Sequence, residues 1–228
     1  MMRDPIVRFM IAYPIAFGMI GRYVIPWAGE IGAMDLHTQG DFPLAFLLLI
    51  TPHVFGAVIG FSILDDRDDG VLTSVAVTPL GIHRFLSFRL ILLFIMSVVS
   101  TLYVLLFSNL GILGTGDIIG LSLLASLAAP VSGLLINAVA TNKIEGFAVM
   151  KGTGIILIFP IAGMFFDDAK ELLFGFAPGF WPAKVVSTVV RGGDAMFLGY
   201  WHYYAIGLAY VVLLNALVYR IALRRMGR

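Results

Sequence analysis

The sequence predicts an all-α, polytopic membrane protein. It has six transmembrane helices, a short cytoplasmic helix between the second and third, and a broken re-entrant segment on the outer side. Three observations predict this. Hydrophobic residues make up 60% of the 228 positions and charged residues only 13%, where ordinary soluble domains carry about 25%. Apolar runs of the roughly 20 residues that a bilayer demands recur along the chain. Lys and Arg are divided unequally between the two sets of loops. One transmembrane domain, 1–228, is expected, without internal repeats or low-complexity segments.

The first span is expected at about 10–27, and it keeps Pro14, Arg22 and Pro26. Those residues, and the lack of a small-residue cleavage site, argue against a removable signal. A polar stretch, 28–41, carries Glu30, Asp35, His37 and Asp41 but no Lys or Arg. The second span is expected at about 42–64. After a charged segment, the third follows at about 85–108. A Gly-rich turn leads to the fourth at about 118–140, and a tight loop to the fifth at about 147–166. The segment 167–198 contains two apolar pieces, 172–180 and 185–190, each too short to span. Pro178, Pro182, Gly192 and Gly193 break it. The last span is expected at about 199–223, ending in Arg224 and Arg225.

Orientation follows from the basic residues. Arg3, Arg8, Arg67, Arg84, Arg89, Lys143, Lys151, Arg220, Arg224, Arg225 and Arg228 fall on one side; Lys170, Lys184, Arg191 and Arg22 fall on the other. Both termini are therefore expected in the cytoplasm, with the protein in the cell membrane. Trp27, Trp181, Tyr200 and Trp201 fall near the outer boundary, where aromatic anchors collect.

The charged segment Leu64-Asp-Asp-Arg-Asp-Asp-Gly70 stands between the second and third spans. Asp68 and Asp69 suit the start of a helix, where carboxylates meet free N–H groups and the positive dipole end. Val71, Leu72, Val75 and Ala76 would then share one face. Pro79 disfavours helical geometry at Thr78 and would stop the helix there. The plainer reading is a solvated acidic loop marking a membrane exit.

This stretch, LDDRDDGVLTSVAVTPL, resembles the first cytoplasmic loop of ABC-2-type exporter permeases, which reads as an acidic cluster, then Gly-x-Leu, then Thr-Pro-Leu. It is most similar to the fluoroquinolone-export permease group. Three further stretches match that group in order: Arg3-Asp4-Pro5 with Pro14, Asn142-Lys-Ile-Glu-Gly-Phe-Ala-Val-Met-Lys151, and Pro178-Gly-Phe-Trp-Pro-Ala-Lys184. In that family an amphipathic helix usually lies on the membrane before the first span; with only residues 1–9 ahead of it here, the expectation is either a vestigial helix or a different start. The resemblance implies export of a drug-like or lipid-like amphipathic compound through a pair of permeases, identical or paralogous. Separate ABC ATPase subunits would bind ATP and magnesium, and this chain itself would carry no cofactor, bind no nucleic acid and hydrolyse nothing. It implies coupling to the ATPase through Asp65, Asp66, Asp68, Asp69, Gly70, Val71, Leu72, Val75, Thr78 and Pro79. Lys143, Glu145 and Lys151 would form a second cytoplasmic contact, or simply anchor the chain by the positive-inside rule.

The sequence also bears on other chemistry. No GxxxxGK[ST] phosphate loop occurs. The absence of cysteine removes disulfide and thiol chemistry. The acidic run fails as an EF-hand, because Arg67 and Ala76 stand where ligands are needed. It shares only the opening, Asp66-Arg-Asp-Asp69-Gly70, with the signature of membrane CDP-alcohol phosphotransferases. A membrane-embedded metal-dependent enzyme using Asp65–Asp69, or a non-transport assembly protein, remain the rival readings. Within the spans, His53, Arg22 and Asn137 are candidates for a translocation path, because polar groups in a bilayer are functional by default. Against that, Arg22 has room to snorkel, and Asn137, like Asn215, suits helix–helix hydrogen bonding. Gly56-x-x-x-Gly60 permits a close helix contact.

Overall fold

The computed structural model describes residues 5–32, 39–79, 81–110, 113–192 and 196–226, with side chains from residue 12 to 225. Expectations that involve Arg3, Asp4, the Arg8 side chain, Asp35, His37, Gly193 and Arg228 lie outside the described residues. Every regular element among those described is helical. Among the described residues, five helical stretches are long and apolar enough to cross a membrane: Asp41–Asp68, Gly81–Ser108, Thr115–Val139, Lys143–Gly163 and Tyr200–Arg225.

The chain opens with α1 (Pro5–Met19), a π-helical turn (Ile20–Val24) and α2 (Ile25–Glu30). The wide turn arises where the Ile25 N–H bonds to the Ile20 carbonyl. Gly18 and Gly21 let this stretch lie on the Ser108 end of the helix Gly81–Ser108. A Cβ at Gly21 would stand 2.6 Å from that of Ser108 and 2.9 Å from Leu47 Cδ1.

The central element is α3 (Asp41–Asp68), the most buried of the five apolar helices. It packs most closely on α7 (Ala128–Val139), and also on α5 (Gly81–Ser108), α8 (Lys143–Ile156) and α10 (Phe180–Arg191). Gly56 and Gly60 explain the α3–α7 contact. A Cβ at Gly56 would meet the Ala129 carbonyl oxygen at 2.4 Å, and one at Gly60 would meet Ile136 Cδ1 at 2.8 Å. The glycine pair thus serves packing within one chain. Asn137 locks it, donating to the carbonyls of Gly60 at 3.0 Å and Gly133 at 2.9 Å.

Two spans are broken in the middle. α6 (Thr115–Ser126) gives way to α7 at Leu127, and α8 gives way to α9 (Ile158–Gly163) at Leu157, each break lying three residues before a proline, Pro130 or Pro160. Asn215 on α11 (Tyr200–Met226) donates to the Leu127 carbonyl at 2.8 Å. The outward faces of α5 and α11 expose Phe88, Ile91, Val99, Trp201 and Leu213, as a face against lipid requires.

The charged segment departs from expectation. Asp65, Asp66 and Asp68 belong to the last turn of α3, and the short helix α4 (Val71–Ala76) begins after Gly70 without a side-chain cap. Gly70 sets the boundary with φ of 71°, a left-handed conformation that glycine adopts without steric cost. The N-cap reading of Asp68 and Asp69 is therefore corrected. They stand exposed at the negative end of that helix dipole, while their neighbours Asp65 and Asp66 are paired with cations, as described below.

Segment 167–198 also differs from its expected pieces. A 3₁₀ turn (Ala169–Phe174) precedes α10, which runs unbroken through Pro182. Pro182 lies in the first turn, where its missing N–H has no intrahelical partner to lose. At 12 residues, α10 is about 18 Å long, short of the roughly 30 Å hydrocarbon core. Trp181 is buried and donates to the Gly175 carbonyl at 3.0 Å. It is a core residue, unlike exposed Trp27 and Trp201.

Candidate functional site

The end of the bundle that holds α4 is built by cations meeting carboxylates and helix carbonyls. Lys143 pairs with Asp65 at 2.7 Å, and Arg89 pairs with Asp66 while lying over the Phe85 ring. Arg67 donates to the Ala140 carbonyl at 3.4 Å, and Arg225 to those of Ala138 and Val139, the latter at 2.7 Å. The carbonyls that α7 leaves unpaired at its C-terminus thus receive guanidinium groups from α3 and α11. Glu145 accepts from the Thr141 N–H and hydroxyl, both at 2.7 Å, while Asn142 accepts from the Glu145 N–H at 3.0 Å. Glu145 is engaged in capping α8.

These bonds divide the predicted coupling residues. Asp65 and Asp66 tie the bundle together. Leu72 is buried at 6% exposure within the chain, so it cannot be an anchor offered to a partner. Val71, Val75 and Gly70 are half-buried. Asp68, Asp69, Thr78 and Pro79 are exposed. Two apolar residues that the sequence reading passed over project furthest, Val77 at 86% and Ile144 at 84% exposure.

At the opposite end lies a charged network that the sequence did not announce. Lys184 on α10 is fully buried against Glu171, also fully buried, at 2.6 Å. Lys184 also reaches Asp167 at 3.4 Å and the Phe166 carbonyl, and Tyr203 donates to Glu171. Arg191 meets Asp41 at 2.7 Å and Asp167 at 3.6 Å, and Ser187 donates to Asp41 at 2.9 Å. Asp41, read as part of a polar outer stretch, is wholly buried. Beyond the network, a hydrogen-bonded pair with Lys170 at 3.1 Å holds Asp168 below the usual carboxylate range.

The translocation candidates separate too. Arg22 donates to the Phe107 carbonyl at 3.2 Å and lies over that residue's ring, which is helix-end capping. Asn137 is consumed by the α3–α7 contact. His53 lines a groove of about 580 Å³ between α3 and α8–α9, together with Phe46, Leu49, Val54, Phe61, Met150, Lys151 and Ile161. It also borders a second cavity of about 190 Å³, toward α7 and α11. Lys151, expected as a cytoplasmic contact, is a wall of the groove.

Among the described residues no cluster of His, Cys, Asp and Glu suits a metal ion. Asp65 and Asp66, which a metal-dependent enzyme would need as ligands, are each held by a cation.

Residues 1–219 match the model of the family described as "Fluoroquinolones export permease protein Rv2686c-like". Two curated relatives, fluoroquinolones export permease proteins MT2760 and Rv2686c from two strains of Mycobacterium tuberculosis, are each 33% identical over 218 residues. The match covers 91% of this chain and 83% of each relative. No solved structure matches.

Proposed function

We propose that this chain, which belongs to the Rv2686c-like fluoroquinolone export permease family, is the membrane subunit of an ATP-driven exporter. Its cargo is an amphipathic compound of the fluoroquinolone kind, moved outward. Separate ATPase subunits bind ATP and magnesium and dock at the α4 end of the bundle, and a second permease completes the path. One observation carries the docking reading. Val77 and Ile144 project at 86% and 84% exposure beside the exposed Asp68 and Asp69, at the end where α3, α7, α8 and α11 are tied together. An apolar anchor rimmed by charge is the form in which a few residues supply most of a binding energy.

The test is co-purification of the ATPase in mild detergent, with drug-stimulated ATP hydrolysis as second readout. Val77→Asp and Ile144→Asp should each reduce recovered ATPase about tenfold while leaving the permease monodisperse, because neither side chain is packed inside the chain. Leu72→Asp is a different experiment, because it places a carboxylate in a buried site and should cost folding. Wild-type ATPase recovery in both exposed variants would remove the docking reading.

The helix from Pro5 to Glu30 serves as a sixth span, with both termini in the cytoplasm and α10 re-entering from outside. Its support is the length of that helix, the shortness of α10 and the Lys/Arg distribution. Because the chain has no cysteine, single cysteines report cleanly. A cysteine at Gly116 should react with an impermeant thiol reagent in intact cells, and cysteines at Asp69 and Asn142 should not. The opposite pattern would reverse the orientation.

A further inference from the structure

We propose that the groove between α3 and α8–α9 is a binding site for an anionic amphiphile with a flat aromatic body, whose single carboxylate is taken by Lys151 and His53. The inference rests on the export reading for its purpose, but the site itself rests on geometry. α3 and α8–α9 run antiparallel side by side, with Phe61 against Phe147 at 4.6 Å and Phe42 against Phe165 at 4.9 Å. Between those ring pairs the wall is apolar except at two places. One is His53, whose Nε2 stands 3.9 Å from where a Cβ of Gly154 would lie. The other is Lys151, about 4.5 Å along the α8 axis from Gly154. Gly154, having no side chain, leaves the imidazole open to the groove.

No carboxylate lines this groove, and among the described residues Lys151 has no ion pair and His53 no hydrogen bond. Lys151 is exposed at the edge of this apolar wall, and a carboxylate seated in the groove would give it a charge-assisted bond. The volume, about 580 Å³, lies within the range that holds drug-sized ligands. Depth selects the occupant. Lys151 lies about 12 Å along the axis from Lys143 at the start of α8, and His53 lies deeper. A phospholipid keeps its phosphate at the interface, whereas a small amphipathic acid enters whole and brings its charge to that depth.

The experiment is equilibrium binding to the purified permease in phosphatidylcholine nanodiscs, without ATPase or nucleotide. The probes are flumequine, a monocarboxylate quinolone, and its methyl ester, followed by ligand fluorescence. The acid should bind at least tenfold more tightly than the ester. Lys151→Gln should erase that difference, Lys151→Arg should keep it, and Gly154→Leu, which fills the groove, should weaken both probes. Equal binding of acid and ester overturns the proposal. So does an affinity within twofold of wild type in Lys151→Gln. Displacement of flumequine by added phosphatidylglycerol would assign the cation to a lipid headgroup and overturn it as well. Because binding is read without the ATPase, its failure leaves the export reading standing. Intact binding with no ATP-driven transport in the reconstituted complex would remove that reading and leave the site.

Discussion

Lys184→Met is expected to lower the melting temperature of the purified protein by about 10 °C. Lys184 and Glu171 are both fully buried and stand 2.6 Å apart. Removing one member of such a pair strands the other charge without water, which costs about 3–5 kcal/mol. For a chain of this size each kcal/mol moves the midpoint by about 2–4 °C. Replacing both, as Lys184→Met with Glu171→Leu, should recover much of the loss, because a matched apolar pair costs far less than an orphaned ion. Thermal unfolding in detergent, followed by size-exclusion fluorescence, measures all three proteins. A single variant that melts within 2 °C of wild type would mean that α10 is held by something other than this network.

Gly56→Leu is expected to abolish monodisperse protein altogether. The atom closest to a new Cβ at Gly56 is the Ala129 backbone oxygen, at 2.4 Å, with Ser132 Cβ at 2.7 Å. A backbone cannot swing aside as a flexible side chain can, so α3 and α7 must separate. Separation also breaks the bond from Asn137 to the Gly60 carbonyl. Even Gly56→Ala should cost about 1–3 kcal/mol as overpacking. Gly152, inside α8 with nothing within 4 Å of its would-be Cβ, supplies the control. Gly152→Ala should be neutral or gain up to about 1 kcal/mol, since glycine is a poor helix former. Detergent-solubilised yield and melting temperature decide it, and a well-folded Gly56→Leu would show that the helices have room the geometry denies.

The bilayer makes spans legible in sequence, because a crossing helix must be long and apolar. The second to fifth spans and the last accordingly coincide with helices at their expected places. The pause at Pro79 and the short helix before it were also readable, because proline acts locally. What could not be read depends on partners distant in sequence. Asp65 and Asp66 look like loop residues until Lys143 and Arg89 arrive beside them, and only then does α3 continue through them. Lys184 falls between the two short apolar pieces, just after Pro182, and so reads as an outer loop cation, since nothing local marks Glu171 as its counterion. Leu72 looked like an anchor because α4 is short and amphipathic, but the groove it fills belongs to its own chain. Lys151 and His53 stand far apart in sequence, and only the antiparallel pairing of α3 with α8 brings them to one groove.

The clamp on the end of α7 has a consequence for biosynthesis. The carbonyls of Ala138 and Val139 receive Arg225, which is synthesised 87 and 86 residues later. A ribosome adds roughly 5–20 residues per second, so α7 emerges several seconds before its guanidinium does. During that interval Arg67, already synthesised, is the guanidinium available to that helix end. The final helix acts as the fastener, and an insertion machinery that released the nascent chain early would release it with this end unlaced.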